Sequence, residues 1–292
     1  MTIHFKQVTI VGVGLIGGSL GMILKQQGLA DQVVGVGRTI ENLELAIKVG
    51  AIDRHEQDPK HAMPGTDLVI LATPIESYAE HLKKWGGLLD EGTIVSDVGS
   101  VKGPLVEQAE SLMPPGVYFV GAHPIAGKEK SGVGAASLDL YQNALCLLTP
   151  TEKTNAEALS KVQQMWEAAG STVRSIDPFL HDWILGAVSH LPHVAAFALM
   201  NTLNDLQEQT QTKGDTDLLK FSGGGLRDTT RIAASSPEMW RDIFLWNKDN
   251  LILMIASLEK HLGKMKSYIQ QHDETGIEQE IAKAREARQR LK

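Results

Sequence analysis

Short apolar runs alternate with longer amphipathic stretches through the first 176 residues of the chain. The runs are rich in Val and Ile and predict strands over 8–13, 32–37, 67–73, 93–99, 117–122, 144–149 and 171–176. The stretches between them predict helices over 15–27, 40–49, 75–85, 103–112 and 155–168. Because most of these strands are apolar throughout, we expect a mostly parallel sheet with helices on both faces.

The pattern changes at Asp177-Pro178, where a helix N-cap residue precedes a proline suited to the first helical turn. The rest of the chain predicts helices over 179–188, 194–206, 216–220, 239–265 and 277–291, with a polar loop over 207–215 and a break at 222–225. We therefore predict an α/β domain over residues 1–176 and an all-α domain over 177–292. The apolar segment 245–265 favours a dimer interface, and an intrachain core is the alternative.

A glycine cluster separates the first predicted strand from the first predicted helix. It fits G-x-G-x-x-G and consists of Gly12, Val13, Gly14, Leu15, Ile16 and Gly17. In this context the glycines allow a tight turn, close approach of a pyrophosphate and close helix–strand packing. The free N–H groups at the helix N-terminus favour the phosphates. We expect a Rossmann-like domain in which these six residues bind a dinucleotide.

The end of the second predicted strand bears on the choice between NAD and NADP. NAD-binding chains place an acid about 20 residues after the glycine motif to bind the ribose 2′-hydroxyl. This chain has Gly37, Arg38 and Thr39 there, and no carboxylate. Arg38 can pair with a 2′-phosphate, Thr39 can hydrogen-bond it and Gly37 leaves room. The sequence favours NADP as cofactor, while a solvated surface arginine is the alternative for Arg38.

Composition restricts the partners of the protein. The net charge of −7 and the 5% of aromatic residues argue against nucleic acid and anionic membrane surfaces. We expect no apolar run near the ~18 residues of a membrane span, no signal peptide, and a cytoplasmic location. The single cysteine, Cys146, is expected to be a buried apolar residue rather than a reactive thiol.

Polar residues follow three consecutive predicted strands. Thr73-Pro74 comes after the third strand, Asp97, Ser100 and Lys102 come at the end of the fourth, and His123 comes after the fifth. In an open α/β sheet, ligands bind beyond the carboxyl ends of the strands. A histidine at that edge can act as a general base near neutral pH, so we expect His123 to be functional rather than structural.

The helical half carries a second set of candidates. His190 and His193 stand in "SHLPH", a weak metal pattern without a third ligand, so we expect no metal. Arg227 and Arg231 lie four residues apart and should share one helix face. Either arginine can bind a substrate carboxylate, and we favour Arg231.

The motifs "SDVGSVK", "GAHPIAGKEKSGV", "SHLPH" and "LRDTTRIAASSPEMW" follow the glycine fingerprint in one order. In this the chain resembles the prephenate/arogenate dehydrogenases of tyrosine biosynthesis, from residue 8 to about residue 246. The resemblance implies oxidative decarboxylation of a cyclohexadienol, a homodimer, and a cofactor site that includes Thr73, Pro74 and Gly99. It implies that His123 is catalytic and assisted by Ser100. It also implies that the substrate-binding residues are Glu129, His190, His193 and Arg231.

The resemblance leaves the substrate open. Family members more often have Thr where Lys128 precedes Glu129, which puts the shape of the cleft in doubt. The NADP-type strand end and the expected lack of a regulatory ACT domain resemble arogenate-specific members. We expect arogenate, with prephenate as the alternative. A β-hydroxyacid dehydrogenase or imine reductase is disfavoured because residues 179–188 contain no lysine, and an NADP-sensing regulator would need no His123–Ser100 pair.

Overall fold

The computed structural model describes residues 3–128, 130–211 and 217–291. Contacts between residues divide the chain into two units. The first comprises the chain up to Leu185 together with Ala234–Trp246, and the second comprises Gly186–Ala233 and the chain from Asn247 onward. Residues 177–185 thus group with the first unit, and the domain boundary expected between residues 176 and 177 stays a prediction.

A six-stranded sheet forms the centre of the first unit, with strand order β3-β2-β1-β4-β5-β6. Its strands are β1 (Phe5–Val11), β2 (Ala30–Val36), β3 (Arg54–Glu56), β4 (Leu68–Leu71), β5 (Ile94–Asp97) and β6 (Tyr118–Val120). All neighbouring strands pair in parallel, as the apolar runs predicted. The strand that the sequence did not indicate is β3, which lies at the sheet edge and has no apolar residue.

A second sheet of three strands follows, with β7 (Ala122–Pro124), β8 (Leu145–Leu148) and β9 (Thr172–Ser175). Strand β7 is antiparallel to β8, which is parallel to β9. The single strand expected over 117–122 was wrong, because the chain leaves the first sheet at Gly121. A Cβ atom on Gly121 would lie 2.4 Å from Thr149 Oγ1, so a larger residue would force Thr149 or the backbone to move. The break places His123 in the middle of β7.

The helices of the first unit are α1 (Leu15–Gln26), α2 (Ile40–Lys48), α3 (Tyr78–Trp85), α4 (Gly103–Ser111), α5 (Ala156–Ala168), α6 (Pro178–Leu185) and α9 (Pro237–Trp246). Local capping explains two of the starts. The side chain of Asn155 accepts from the N–H groups of Glu157 and Ala158 at the start of α5. Asp177 accepts from those of Phe179 and Leu180 at α6.

The second unit is helical where the structure describes it. A π-helical turn (Gly186–His190) leads into α7 (Leu191–Gln211), and α8 (Gly224–Thr230), α10 (Lys248–Gln271) and α11 (Glu274–Gln289) follow. The loop expected over 207–215 was wrong as far as residue 211, which is still helical, and residues 212–215 lie outside the described part. In place of the helix expected over 216–220, a short 3-10 turn spans Leu218–Phe221, and residue 216 is not described.

The single helix expected over 239–265 is divided between α9 and α10. The residue between the two helices, Asn247, is 3% exposed. Its side chain bonds His190 and accepts from the side-chain amide of Asn250. These tertiary bonds favour a chain break that the apolar pattern does not reveal.

Apolar side chains stay exposed on α10, including Ile252, Leu253 and Leu262, each about three-fifths exposed. Helical residues Pro178–Gln209 are long and apolar enough to cross a membrane by length and composition alone. The expectation of no such segment was therefore wrong on that measure. Exposed apolar side chains such as those of α10 also suit contact with another protein surface.

Replacing Gly21 of α1 by alanine is expected to destabilise the fold by about 1–3 kcal/mol, the usual cost of overpacking. A Cβ atom there would lie 2.1 Å from the backbone oxygen of Ala51 and 3.1 Å from Ile10 Cδ1. The helix must move away from the Ala51 turn to accept it. Thermal unfolding followed by circular dichroism measures the loss. Gly263→Ala in α10 is the control, because a Cβ there meets no described atom within 4 Å and should stabilise slightly.

Candidate active site

The glycine loop between β1 and α1 has the geometry of a phosphate cradle. Gly12 has a φ of +98°, and a Cβ on it would lie 2.6 Å from the backbone oxygen of Ala72. A Cβ on Gly17 would lie 2.5 Å from the oxygen of Gly12. At Gly14 the equivalent position has no described atom within 4 Å, so space remains there. These three glycines fit the roles that a pyrophosphate site requires.

Two bonds support the loop and the neighbouring strand end. The side-chain amide of Asn42 donates to the oxygen of Val13 over 2.9 Å. At the end of β2, the side-chain amide of Gln57 donates to the oxygen of Arg38 over 2.7 Å. Arg38 and Thr39 are both exposed, and Thr39 is the residue before α2. The Gln57 bond fixes the backbone of Arg38 at the strand end, and the Arg38 side chain is exposed there.

The end of β4 packs against the glycine loop. A Cβ on Gly12 would also approach the backbone nitrogen of Thr73 to 2.8 Å. The hydroxyls of Thr73 and Ser77 bond each other over 2.8 Å, and Pro74 precedes a short 3-10 turn over Ile75–Ser77. The structure therefore brings Thr73 and Pro74 to the same edge as the glycine loop.

Asp97, the last residue of β5, ties two predicted site segments together. Its Oδ1 accepts from the N–H of Ala122, the residue before His123, over 2.9 Å. Its Oδ2 accepts from the N–H of Gly99 and from Lys102 Nζ, each over 2.8 Å. One buried carboxylate thus fixes both the loop that carries Ser100 and the strand that carries His123.

The side chain of Lys102 stabilises the loop after β5 by bonding atoms at both of its ends. Its ammonium group, 0% exposed, donates to Asp97 and to the backbone oxygens of Gly99 and Val101. Three acceptors match its three N–H donors, as a buried cation requires. Ser100, half-buried, lies within this loop.

His123 is 8% exposed and belongs to a chain of buried side chains. Its Nδ1 lies 2.9 Å from Nε2 of His181, whose Nδ1 lies 2.8 Å from Asp182 Oδ1. Burial lowers the pKa of His181, outweighing the opposing effect of its hydrogen bond to Asp182. The sequence analysis did not select His181 or Asp182, although a His-Asp pair near a helix start was visible in the sequence.

Cys146 on β8 pairs in register with Pro124 of β7 and is fully buried. Burial raises the pKa of its thiol, so the group stays protonated and apolar. This agrees with the expected packing role.

The second unit holds His190, His193 and Arg231. His190 is 1% exposed, and its Nδ1 accepts from the side-chain amide of Asn247 over 3.0 Å. His193, half-buried, donates from Nδ1 to the backbone oxygen of Ser189. Burial lowers the pKa of His193, and the charge of Arg231 lowers it further. His193 and Arg231 are therefore close enough to interact. His190 is buried and is bonded to Asn247.

The remaining candidates are two arginines, one glutamate and the side chains that could bind a metal ion. Arg227 and Arg231 do not share one α-helix, because α8 ends at Thr230 and Arg231 opens a 3-10 turn over Arg231–Ala234. Glu129 lies outside the described residues. Among residues 3–128, 130–211 and 217–291, no group of three or more His, Cys, Asp or Glu side chains is placed to hold a metal ion.

The sequence and the fold were both compared with those of known proteins. The family model of the prephenate dehydrogenase nucleotide-binding domain matches residues 20–175, and that of the prephenate dehydrogenase dimerization domain matches residues 177–283. Prephenate dehydrogenase of Bacillus subtilis is 33% identical over 273 residues, which are 91% of this chain and 71% of that protein.

Two solved structures extend the comparison. Prephenate dehydrogenase from A. aeolicus, in complex with hydroxyphenyl propionate and NAD+, is 38% identical with a TM-score of 0.91, covering 100% of both chains. Synechocystis arogenate dehydrogenase is 27% identical with a TM-score of 0.80, covering 98% of this chain and 100% of that one.

These matches confirm the Rossmann-like sheet domain followed by helices. They also support an oxidoreductase that uses a pyridine nucleotide. The family models cover both parts of the chain, the first alone more than half of it. The chain belongs to the prephenate dehydrogenase family.

Proposed function

We propose that the protein oxidises and decarboxylates prephenate to an aromatic product, with NADP as cofactor. The observation that carries this is His123, held on β7 by His181 and by the Asp97 bond to Ala122, in the same unit as the glycine loop. The relatives at 33% and 38% identity, both prephenate dehydrogenases, favour prephenate. Arogenate is the second candidate, favoured by the Synechocystis neighbour and the NADP-type strand end.

Different residues of the chain bind the cofactor, accept the proton and bind the substrate. Gly14 and the N-terminus of α1 hold the pyrophosphate, and Arg38 with Thr39 binds the 2′-phosphate. Bound NADP+ supplies the hydride acceptor. His123 Nε2 takes the proton of the ring hydroxyl as a general base, and Ser100 assists at the same hydroxyl. Loss of CO2 then gives the aromatic ring. Arg231 binds a substrate carboxylate, with His193 beside it.

We also infer a homodimer in the cytoplasm. The match to a dimerization domain supports the dimer, and the exposed apolar side chains of α10 give it a surface to bury.

The proposal is tested by following the absorbance of reduced cofactor. Purified protein is mixed with prephenate or arogenate and with NADP or NAD. The expected result is the fastest reduction with prephenate and NADP. A faster rate with arogenate would replace the substrate, a faster rate with NAD would replace the cofactor, and no reduction in the four mixtures would remove the proposal.

Arg38→Ala is expected to raise the KM for NADP by about 10–100-fold and to leave the KM for NAD nearly unchanged. The reason is the loss of charge-assisted hydrogen bonds worth about 1.5–3 kcal/mol to a phosphate that NAD lacks. Steady-state kinetics with both cofactors measure the ratio. Lys48→Ala is the control, since Lys48 is an exposed cation at the other end of α2. An equal loss for NADP and NAD would show that Arg38 does not bind the 2′-phosphate.

A further inference from the structure

Three side chains in the first unit form an unbroken hydrogen-bonded chain behind His123. The links are His123 Nδ1 to His181 Nε2 at 2.9 Å and His181 Nδ1 to Asp182 Oδ1 at 2.8 Å. His181 is 0% exposed and Asp182 is 2% exposed. The two imidazole rings lie with their centroids 5.1 Å apart and their planes at 60°.

Asp182 is held as an acceptor on both of its oxygens. Oδ1 accepts from the N–H of Lys102 over 2.7 Å, and Oδ2 accepts from the N–H of Gly103 over 2.8 Å. These two donors stand at the start of α4, where the helix dipole favours a negative charge. The bond from His181 Nδ1 therefore has the nitrogen as donor.

The charge state of His181 then decides the protonation of His123. His181 faces Asp182 on α6, Lys102 before α4, and Asp97 on β5, besides His123 itself. Burial favours the neutral ring of His181. A neutral imidazole that donates from Nδ1 must accept at Nε2. The proton between the two rings thus belongs to His123 Nδ1.

We propose that Asp182 and His181 are positioning residues that hold His123 in the tautomer whose lone pair is on Nε2. This rests on the proposed function, in which Nε2 takes the hydroxyl proton. The arrangement selects the reactive nitrogen in advance and leaves the imidazolium, once formed, with a buried acceptor at Nδ1. The order of groups is carboxylate, imidazole, imidazole, which places the negative charge one ring further from the base than in a His-Asp pair.

The tautomer is measured directly by nitrogen-15 NMR of the histidine side chains in the wild-type protein above pH 7, without cofactor or substrate. The His123 signals are assigned as those lost in His123→Asn. The expected result is a protonated Nδ1 and an unprotonated Nε2. A protonated Nε2 overturns the proposal whatever the enzyme's activity, while absent turnover in all four assay mixtures would remove only the proposed function.

Two variants test the role of His181. His181→Leu removes the acceptor and is expected to lower kcat by about 10–100-fold, the usual effect of losing a group that orients a reactive one, with the KM for NADP unchanged. Its His123 signals should shift toward a mixture of both tautomers. His181→Gln offers an amide oxygen to Nδ1 and should recover most of kcat and the single tautomer. If His181→Leu does not fold, His181→Gln and the wild-type spectrum still decide. A single, unchanged tautomer in His181→Leu, or no recovery in a folded His181→Gln, contradicts the proposal.

Discussion

Replacing His123 by asparagine is expected to lower the turnover number by about 10²–10⁴-fold, the contribution of a general base. An asparagine amide can still donate to Nε2 of His181, so the buried chain keeps a partner at that point. It has no basic lone pair for the ring hydroxyl proton. The affinity for NADP should stay close to that of the wild type, because the cofactor is assigned to the glycine loop and Arg38. Steady-state kinetics give turnover, and the fluorescence of bound NADPH gives affinity.

His4→Asn provides the matched control for that experiment. His4 lies just before β1 and pairs with Asp31 on an exposed surface. The same chemical change there should leave turnover unaltered. Turnover that is equally unaltered in His123→Asn would refute the assigned role of His123. A parallel loss of NADP affinity would instead indicate that the substitution disturbs the glycine loop.

Features that depend on local geometry were predictable from the sequence. The spacing of Gly12, Gly14 and Gly17 predicted a tight strand-to-helix turn, and the structure has that turn between β1 and α1. The parallel sheet followed from strands that are apolar on both faces. His123 became a candidate because it follows a predicted strand, at the sheet edge where ligands bind, and the structure places it on β7.

Features that depend on tertiary contacts were not predictable in the same way. His181 and His123 are 58 residues apart, and only the packing of α6 brings their rings within hydrogen-bond distance. Asn247 interrupts an apolar helical pattern because its buried side chain bonds His190. The chain crosses at Gly121 close to Thr149, the residue after β8, and this contact joins residues 28 positions apart in the sequence.

Asp97 and Lys102 are a second case in which the sequence shows the residues but only the structure shows their contact. Both belong to the motif "SDVGSVK" at the end of a predicted strand, and the sequence alone assigned them no partner. In the structure they form a fully buried ion pair that fixes the Ser100 loop and the start of β7. Their contribution is to hold the site's segments in place rather than to react.

Lys102→Met is expected to destabilise the protein by about 3–5 kcal/mol, the cost of leaving a buried charge without its partner. Methionine fills a similar volume, so the loss reports the charge of Asp97 rather than a cavity. The carbonyls of Gly99 and Val101 lose the same donor. Chemical denaturation with urea gives the free energy of unfolding of the variant and of the wild type.

Lys161→Met is the control for Lys102→Met, because Lys161 pairs with Glu157 on the exposed face of α5 over the same 2.8 Å. Solvent screens that pair, so its loss should change the free energy of unfolding very little. The double variant Lys102→Met with Asp97→Asn should recover part of the stability, since it removes the unpaired charge. Equal losses at Lys102 and Lys161, or a double variant less stable than Lys102→Met, would mean that the buried charge of Asp97 is not what Lys102 compensates.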